Sequence, residues 1–512
     1  MSVKKIVCIL CSALIIFSGC GKKGGTQDIQ NQNQNKAIKI QMHQTDTLNP
    51  VLAYDETVRD ALSLCYEPLF RVNSSVEPEG VLAKSYKISD DSQSVIIILK
   101  DSALWHDGKA LTSEDVVYTI EYIKSQENSP YYFCVQYIEE AKAIDDLSVK
   151  LTLSRPYAQM AYSLYFPVIP KHKENIEDEI TGTGAYKMVQ YLPSSEITLE
   201  KNTSWHGGEA HTESVIVTMT RNNDIAASAF NTGVINVVTS RAYDLSNYAL
   251  MEGTKSKKYS SARYEYMAFN QKTSVFESKF IRLAVASAIN REELVEGAYN
   301  GFAVAANAPL HPRSEKVMPS VTLTEYNLEN AYELLFYEGY TPNDNTGLLE
   351  NKNKRGISFT ITVNKENTAR VKCAQQISAQ LVKAGMNVSV KVLDFKEYKK
   401  AIESGSYDAY IGGVTLGNIY DFEFLLSGEG NLNSFGYSDK YMELALSQMA
   451  SSPSEDSLEN AILNFEEVFT REQPVCGIAF LSDVLITSGK ISGEFLPTMN
   501  FPYANLYNWK IK

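Results

Sequence analysis

Histidines, cysteines and acidic residues are the side chains of this 512-residue chain that could catalyse a reaction or hold a metal. The six histidines are dispersed, and the closest pair, His206 and His211, lies five residues apart, too far for adjacent turns of one helix face. No phosphate-binding, zinc-protease or nucleophile-elbow motif occurs. No acidic pair is singled out by its spacing. The sequence therefore predicts neither an enzyme nor a metal site, and it predicts no cofactor.

Cys20 is the one residue that carries a distinct chemical prediction. It ends an N-terminal segment that starts with two lysines and stays apolar up to Phe17, which is typical of a secretory signal too short to span a membrane. Small residues lead directly into the cysteine, as in a bacterial lipobox, although Phe17 stands where Leu or Val is common. We predict a signal peptide at residues 1–19 and lipid attachment at Cys20. The alternative is an ordinary signal peptide with an incidental cysteine.

The composition indicates an acidic globular chain with the length of two or three domains. Hydrophobic residues make up 44% of the chain and charged residues 21%. The formal net charge is -13, and removal of residues 1–19 takes away two lysines and no acid, so the mature chain is more acidic still. Such a charge argues against nucleic acid and anionic lipid as partners. The remaining cysteines indicate buried small residues, although two disulfides are possible: Cys65, Cys134, Cys373 and Cys476.

Residues 20–36 have almost no apolar content and no periodicity, and they predict a flexible tether with a reach of roughly 20–25 Å. Beyond them, patterns typical of strands and helices alternate along the chain. The predicted strands include 37–42, 95–100, 215–219, 359–363, 388–393 and 409–413, and the predicted helices include 56–70, 278–296, 328–338, 368–384 and 395–403. This alternation indicates an α/β protein with mostly parallel sheets.

The stretch from Trp105 to Val116 predicts a tight turn followed by a capped helix. An Asp-Gly pair at 107–108 supplies the turn. Thr112 is placed to cap a helix that begins one residue later, with Asp115 at its third position near the positive end of the helix dipole. The physical interpretation of this stretch is structural.

Eight short motifs follow one another in order: Thr47–Pro50 with Tyr66–Leu69, Trp105–Val116, Ile169–His172, Gly182–Tyr186, Asn202 with Trp205, Ala268–Asn270, Ile281–Ala284 with Ala288–Glu292, and Glu329–Tyr340. Together they resemble the extracellular solute-binding proteins of family 5, the peptide- and nickel-binding group that serves ABC importers. Ala185 replaces the proline usual in its motif. Each motif alone is weak, but the resemblance covers nearly all of the chain beyond the tether.

The resemblance implies a two-lobed α/β fold like that of periplasmic binding proteins (class II, cluster C), with an extra subdomain inserted in the first lobe. The implied boundaries are 37–65, 180–268 and 485–512 for lobe I, 66–179 for the inserted subdomain and 269–484 for lobe II. The chain would cross between the lobes near 265–275 and 480–490.

The resemblance also implies that the ligand lies between the lobes, against the segment from Tyr407 to Asp421. In the family's peptide binders, a tryptophan after the glycine and an aspartate three residues later face the ligand, and the aspartate takes the peptide's α-ammonium. Here Val414 and Gly417 stand at those positions, and Asp421 is a candidate replacement if the loop bends differently. The predicted ligand-binding residues of this segment are Val414, Thr415, Leu416, Gly417, Asn418 and Asp421.

Three further places are candidates, and for each a loop or interface role is the alternative. His43, Gln44 and Thr45 end the first strand, and open α/β sheets bind ligands outside the carboxyl ends of their strands. Asn270 lies near the expected crossing between lobes. Asn433 and Tyr437 belong to a loop that resembles one bordering the cleft in the family.

The sequence therefore predicts a lipid-anchored substrate-binding protein of an ABC importer, with oligopeptides as the expected ligand and the permease as its partner. The alternatives are a receptor for a nickel chelate, an oligosaccharide or another small solute, and a surface signalling or chaperone-like binding protein. We expect a monomer on the extracellular face of the cell membrane. This face is the cell surface in a Gram-positive bacterium and the periplasmic side in a Gram-negative one.

Overall fold

The structure is a computed structural model that describes residues 36–512, except 46, 174–175, 177–178, 241–244, 246, 249–251, 315–324 and 418–419. The predicted signal peptide, Cys20 and nearly all of the predicted tether lie outside the described residues. Within the described part, no helix is both long enough and apolar enough to cross a bilayer.

Eleven strands of the described chain form one sheet around two long neighbours, β12 (Lys255–Phe269) and β19 (Val475–Thr487). Outward from β19 lie β11 (Val237–Ser240), β1 (Ile38–His43), β10 (Ser214–Thr220), β9 (Glu196–Lys201) and β8 (Tyr186–Leu192). Outward from β12 lie β18 (Ala409–Thr415), β16 (Ser358–Asn364) and β17 (Asn387–Leu393), and β13 (Ala303–Ala305) pairs with β19. We call the chain before β12 and after β19 lobe I, and the chain between them lobe II.

The pairing of β12 with β19 is interrupted between the two lobes. Ser260 pairs with Ser482, but the next pair is Tyr264 with Phe480. On the lobe I side of this interruption β19 also pairs with β11, and on the lobe II side β12 also pairs with β18. Because a bulged strand bends, the paired strands change direction between the lobes at this place. The crossing segments and domain boundaries expected from the sequence stay predictions.

The large sheet is mixed, so the prediction of mostly parallel sheets was wrong. β1 runs parallel to β10 and β11, and β16 runs parallel to β17 and β18. The other neighbours in the sheet pair antiparallel. For one pair the physical reason is connection length: β8 and β9 are joined by three residues, and so short a loop joins only antiparallel strands.

The remaining strands form smaller antiparallel sheets. Four of them pair in the order β4 (Ala83–Ile88), β5 (Ser94–Leu99), β7 (Ser148–Leu153) and β6 (Ile138–Asp145). Three two-stranded sheets pair β2 (Phe70–Val72) with β3 (Pro78–Gly80), β14 (Thr341–Pro342) with β15 (Leu349–Glu350), and β20 (Ile491–Ser492) with β21 (Lys510–Ile511).

The described helices are α1 (Glu56–Leu62), α2 (Ser113–Lys124), α3 (Tyr132–Val135), α4 (Met160–Ser163), α5 (Asn223–Asn231), α6 (Lys279–Ser287), α7 (Arg291–Gly297), α8 (Leu328–Tyr337), α9 (Thr368–Lys383), α10 (Phe395–Glu403), α11 (Glu423–Leu426), α12 (Lys440–Ala450) and α13 (Glu455–Glu472), with a 3₁₀ turn at Leu506–Asn508. The predicted helix 278–296 is two helices, because the Asn290 side chain accepts a hydrogen bond from the Glu293 N–H and starts α7 afresh. The predicted helix 56–70 ends at Leu62.

Asp115 confirms the predicted capped helix and also holds the turn before it. One of its carboxylate oxygens accepts the Thr112 N–H at 2.9 Å and the indole N–H of Trp105 at 3.3 Å. The other accepts the Lys171 N–H at 2.9 Å. Trp105 itself is 2% exposed. This motif therefore stabilises lobe I, and its residues lie away from the cleft described below.

Each lobe buries its own apolar core, and a further apolar cluster joins the two. In that cluster Val72, Tyr162 and Met499 of lobe I pack with Leu416 and Tyr420 of lobe II. The rings of Tyr162 and Tyr420 meet edge to face, with centroids 5.2 Å apart. The lobes are therefore in contact. The cysteines predicted to be small buried residues are buried and free: Cys65, Cys134, Cys373 and Cys476.

Candidate functional site: a cleft between the lobes

A cleft of about 700 Å³ lies in lobe I, at the border with lobe II. Lobe I lines it with α1, with residues 129–133 and with Phe501 near the carboxyl terminus, and lobe II contributes Thr415 at the end of β18. A smaller cavity of about 270 Å³ shares Phe133 and Thr415 with the first. We call the two spaces the large and the small chamber.

Aromatic side chains dominate the large chamber, and sequence analysis did not find them. They come from separate segments: Tyr54, Tyr66, Tyr131, Tyr132, Phe133, Tyr165 and Phe501. Tyr165 contacts both Tyr131 and Phe133, with ring centroids 6.0 and 6.4 Å apart. The run of three aromatics at 131–133, directly after Ser-Pro, was the signal that could have marked the segment.

The end of β18, where the sequence predicts ligand-binding residues, faces the chambers. Val414, Thr415, Gly417 and Asp421 line the small chamber. Leu416 instead turns into the protein, where it is 2% exposed and its N–H donates to the Ala262 carbonyl at 2.9 Å. The predicted residue Asn418 lies outside the described residues.

Gly417 lies against the ring of Phe133. A Cβ atom built at Gly417 would come within 1.9 Å of the Phe133 Cε2 atom. Any side chain at this position therefore requires the Phe133 ring to move. An aspartate at position 417, which the family resemblance leads one to expect, has no room in this arrangement.

Asp421 belongs to a group of polar contacts between the lobes. The Tyr157 hydroxyl donates to its carboxylate at 3.1 Å, and the Glu423 N–H donates at 3.3 Å. Next to it, Arg155 of lobe I forms an ion pair with Glu423 of lobe II and lies 4.1 Å above the centroid of the Tyr137 ring. Burial raises the pKa of Asp421, and the positive charge of Arg155 opposes this rise.

His43, Gln44 and Thr45 are not among the residues that line either chamber. The His43 ring lies 2.8 Å from a carboxylate oxygen of Asp55 and 3.1 Å from the amide oxygen of Asn223. Gln44 is exposed, and Thr45 donates to the backbone two residues on. A binding role for these three residues stays a prediction.

Asn270, Asn433 and Tyr437 hold loops of lobe II together. The Asn270 amide donates to the Tyr407 carbonyl at 2.8 Å. The Asn433 amide donates to the Tyr437 carbonyl at 2.6 Å and to the Ser427 carbonyl at 2.8 Å, and its oxygen accepts the Tyr437 N–H. None of the three is among the residues that line the two chambers, so their ligand-binding role also stays a prediction.

Asp60 is a second residue of the large chamber that sequence analysis missed. It is 7% exposed, and the one hydrogen bond that its carboxylate makes in the described part of the chain is a long one, 3.5 Å from the Thr239 hydroxyl. Burial raises the pKa of Asp60 well above its usual range. In the described residues, no group of three or more His, Cys, Asp or Glu side chains could hold a metal.

Comparison with known proteins identifies the family. A family model described as "Bacterial extracellular solute-binding proteins, family 5 Middle" matches residues 77–434. The chain belongs to this family. Family 5 proteins are non-enzymatic transport components that bind small peptides or other solutes and deliver them to ABC permeases. The chain is accordingly a substrate-binding protein of an ABC importer and not an enzyme.

Relatives in family 5 carry different ligands in their names. The oligopeptide-binding protein OppA of Bacillus subtilis is 23% identical over 543 aligned positions that cover 96% of each chain. The glutathione-binding protein GsiB of Pectobacterium atrosepticum is 25% identical over 372 positions, 70% of this chain and 69% of that one. The crystal structure of NikZ from Campylobacter jejuni with Ni(L-His) aligns with a TM-score of 0.69 at 22% identity, covering 93% of this chain and 99% of NikZ. The predicted two-lobed fold is confirmed.

Proposed function

We propose that this family 5 protein is a receptor for oligopeptides, which it holds between its lobes and passes to the permease of its importer. The observation that carries the proposal is the pair of neighbouring chambers, of about 700 and 270 Å³, which share Phe133 and Thr415 as lining residues. Pockets that bury a small ligand fall in this range of size. Two chambers in sequence suit an extended chain, because each can hold a different part of it.

Asp421 is the proposed partner of the peptide's α-ammonium group. It lines the small chamber and is partly buried, with the Tyr157 hydroxyl and one backbone N–H among its donors. A charge-assisted hydrogen bond from an ammonium group would compensate the cost of keeping this carboxylate ionised. Asp421 would thus replace the aspartate that Gly417 and Phe133 leave no room for.

The contacts between the lobes supply a way to report that the ligand is bound. The pairs Arg155–Glu423 and Tyr157–Asp421 each join lobe I to lobe II. A ligand that binds both walls favours the closed arrangement, because only there does it make all of its contacts. The permease would then recognise the closed protein.

A non-peptide solute is the second candidate, and Gly417 is the observation that favours it. The position that carries the amine-binding aspartate in peptide binders is here packed against the Phe133 ring. A nickel chelate, an oligosaccharide or another small solute would need no partner for an α-ammonium group. The receptor function is the same in both cases.

Native mass spectrometry of the mature protein, purified without unfolding, tests the ligand class. We expect copurified masses that form a ladder of short peptides. A single non-peptide mass would refute the peptide and support the second candidate. The variant Asp421→Asn should retain less peptide than the matched variant Asp439→Asn, whose carboxylate caps α12 outside the chambers.

The anchoring and location of the protein are also part of the proposal. We infer lipidation of Cys20 and attachment to the extracellular face of the cell membrane, with the monomer as the functional unit. The lipobox-like pattern at the end of the apolar segment supports the anchor. Labelling of cells with a lipid analogue should mark the wild-type chain and leave Cys20→Ala unmarked; equal labelling would contradict the anchor. Light scattering of the purified protein checks the monomer.

A further inference from the structure

The large chamber has one carboxylate whose charge the described protein leaves without an ionic partner. Asp55 accepts hydrogen bonds from the Thr57 and Val58 N–H groups at the start of α1 and pairs with His43. Arg59 donates to the Ala53 and Tyr54 carbonyls and lies 3.6 Å from Glu56. These groups are therefore engaged in holding α1 in place.

Asp60 is different. Its side chain is more than nine-tenths buried, it lines the chamber, and its described contact is the 3.5 Å hydrogen bond from Thr239. A buried carboxylate with so little compensation is costly when ionised. The neighbouring charges act in opposite directions: Arg59 favours the ionised form of Asp60, whereas Asp483 and Asp55 oppose it. An incoming cation would supply the partner that the fold does not.

The walls around Asp60 suit an organic cation. Tyr66, Tyr131 and Tyr165 contribute rings to the same chamber. The face of a tyrosine ring attracts ammonium and guanidinium groups, and its apolar body accepts the methylene groups that carry them. A bare metal ion would require several oxygen, nitrogen or sulfur ligands in one place, and the described residues offer no such group.

We propose that the large chamber selects a cationic organic group, the ammonium or guanidinium of a basic side chain, with Asp60 as its ionic partner and the tyrosines as its walls. This inference rests on the receptor function proposed above and specifies its substrate: a peptide with a lysine or arginine close to its amino terminus. Asp421 in the small chamber would hold the terminus, and Asp60 in the adjoining chamber would hold the side chain.

The test is a competition among ligands, with wild-type protein and two variants. The protein is equilibrated with an equimolar pool of peptides of three to six residues, and the retained peptides are sequenced by mass spectrometry. We expect lysine- and arginine-containing peptides to be enriched about tenfold or more by the wild type, as for the loss of one hydrogen bond to a charged group. The enrichment should disappear in Asp60→Asn. It should persist in Asp101→Asn, which removes the same charge from an exposed turn outside both chambers.

Retention of peptides without preference for basic residues, or with the same preference in Asp60→Asn, would overturn this inference and leave the peptide receptor standing. Retention of no peptide would instead refute the peptide as substrate. In that case n-butylammonium and its neutral analogue 1-butanol decide the matter by ligand-observed NMR. Binding of the cation alone, abolished in Asp60→Asn, supports the cation site for a non-peptide solute. Equal binding of the cation and its neutral analogue overturns the proposed cation site.

Discussion

The contact between Gly417 and Phe133 predicts that a single methyl group weakens ligand binding. In Gly417→Ala the new Cβ would lie 1.9 Å from the Phe133 ring, far inside contact distance, so the ring must turn or the lobes must separate. Forcing an extra carbon into a packed contact costs typically about 1–3 kcal/mol. If this cost falls on the closed state, the affinity for ligand drops by a factor of roughly 5 to 150.

The assay is isothermal titration with the ligand that copurifies with the wild type. Phe133→Ala removes the obstructing ring, so the double variant Gly417→Ala/Phe133→Ala should bind as Phe133→Ala alone does. Gly356→Ala is the matched control, because the nearest atom to its new Cβ is 3.3 Å away and the residue lies in lobe II outside the chambers. Unchanged affinity in Gly417→Ala, or a loss that persists undiminished without the Phe133 ring, would refute the reasoning.

Three other predictions concern charge and burial. Burial raises the pKa of Glu466 to about 7, and both carboxylate oxygens lack a hydrogen bond in the described structure. The folded state therefore binds a proton more tightly, and stability falls as pH rises from about 4.5 to about 7. Glu466→Gln should gain up to about 3 kcal/mol at pH 8 and nothing at pH 4, whereas Glu467→Gln, at an exposed site, should gain nothing at either pH. Equal melting of Glu466→Gln and wild type at pH 8 would contradict this. Arg155→Gln removes the ion pair with Glu423 between the lobes and should weaken ligand binding by about 1 kcal/mol, with a smaller effect at high salt. The control Lys171→Gln breaks an exposed ion pair within lobe I and should leave ligand binding unchanged. Calorimetric titration with ligand at two salt concentrations checks this prediction. Equal affinities of Arg155→Gln and the wild type would contradict a role of the Arg155–Glu423 pair in closing the lobes. Burial raises the pKa of the Cys65 and Cys373 thiols to about 12. A maleimide should therefore leave the four described cysteines unmodified in the native protein and label all four after unfolding, as counted by mass spectrometry. Labelling of these cysteines in the native protein would exclude their burial.

Local sequence patterns predicted those helix bounds that depend only on residues close by in the chain. The helix Phe395–Glu403 has the predicted bounds, because its polar and apolar residues alternate at helical spacing and Asp394 caps it. Gly385 ends α9 with φ of +82°, as expected of a C-terminal glycine. The break at Asn290 was missed because an asparagine inside an apolar pattern is ambiguous: it caps a new helix only if the chain turns before it.

Part of the cleft could be found from the sequence, and part could not. The end of β18 was singled out because the family motif covers it contiguously, and four of its predicted residues line the small chamber, but their ligand-binding role stays a prediction. The tyrosine walls and Asp60 come from three separate segments, at 54–66, 131–133 and 165, which only the fold brings together. The amides of Asn270 and Asn433 donate to backbone carbonyls within lobe II, and their predicted ligand-binding role stays a prediction.

The most direct test of the central claim compares one retained peptide with its N-acetylated form. If the peptide lies between the lobes with its α-ammonium on Asp421, acetylation removes a charge-assisted hydrogen bond from a buried site and should lower the affinity of the wild type about tenfold or more. In Asp421→Asn the two forms should bind nearly alike. Equal binding of the free and acetylated peptides by the wild type would contradict the proposed site.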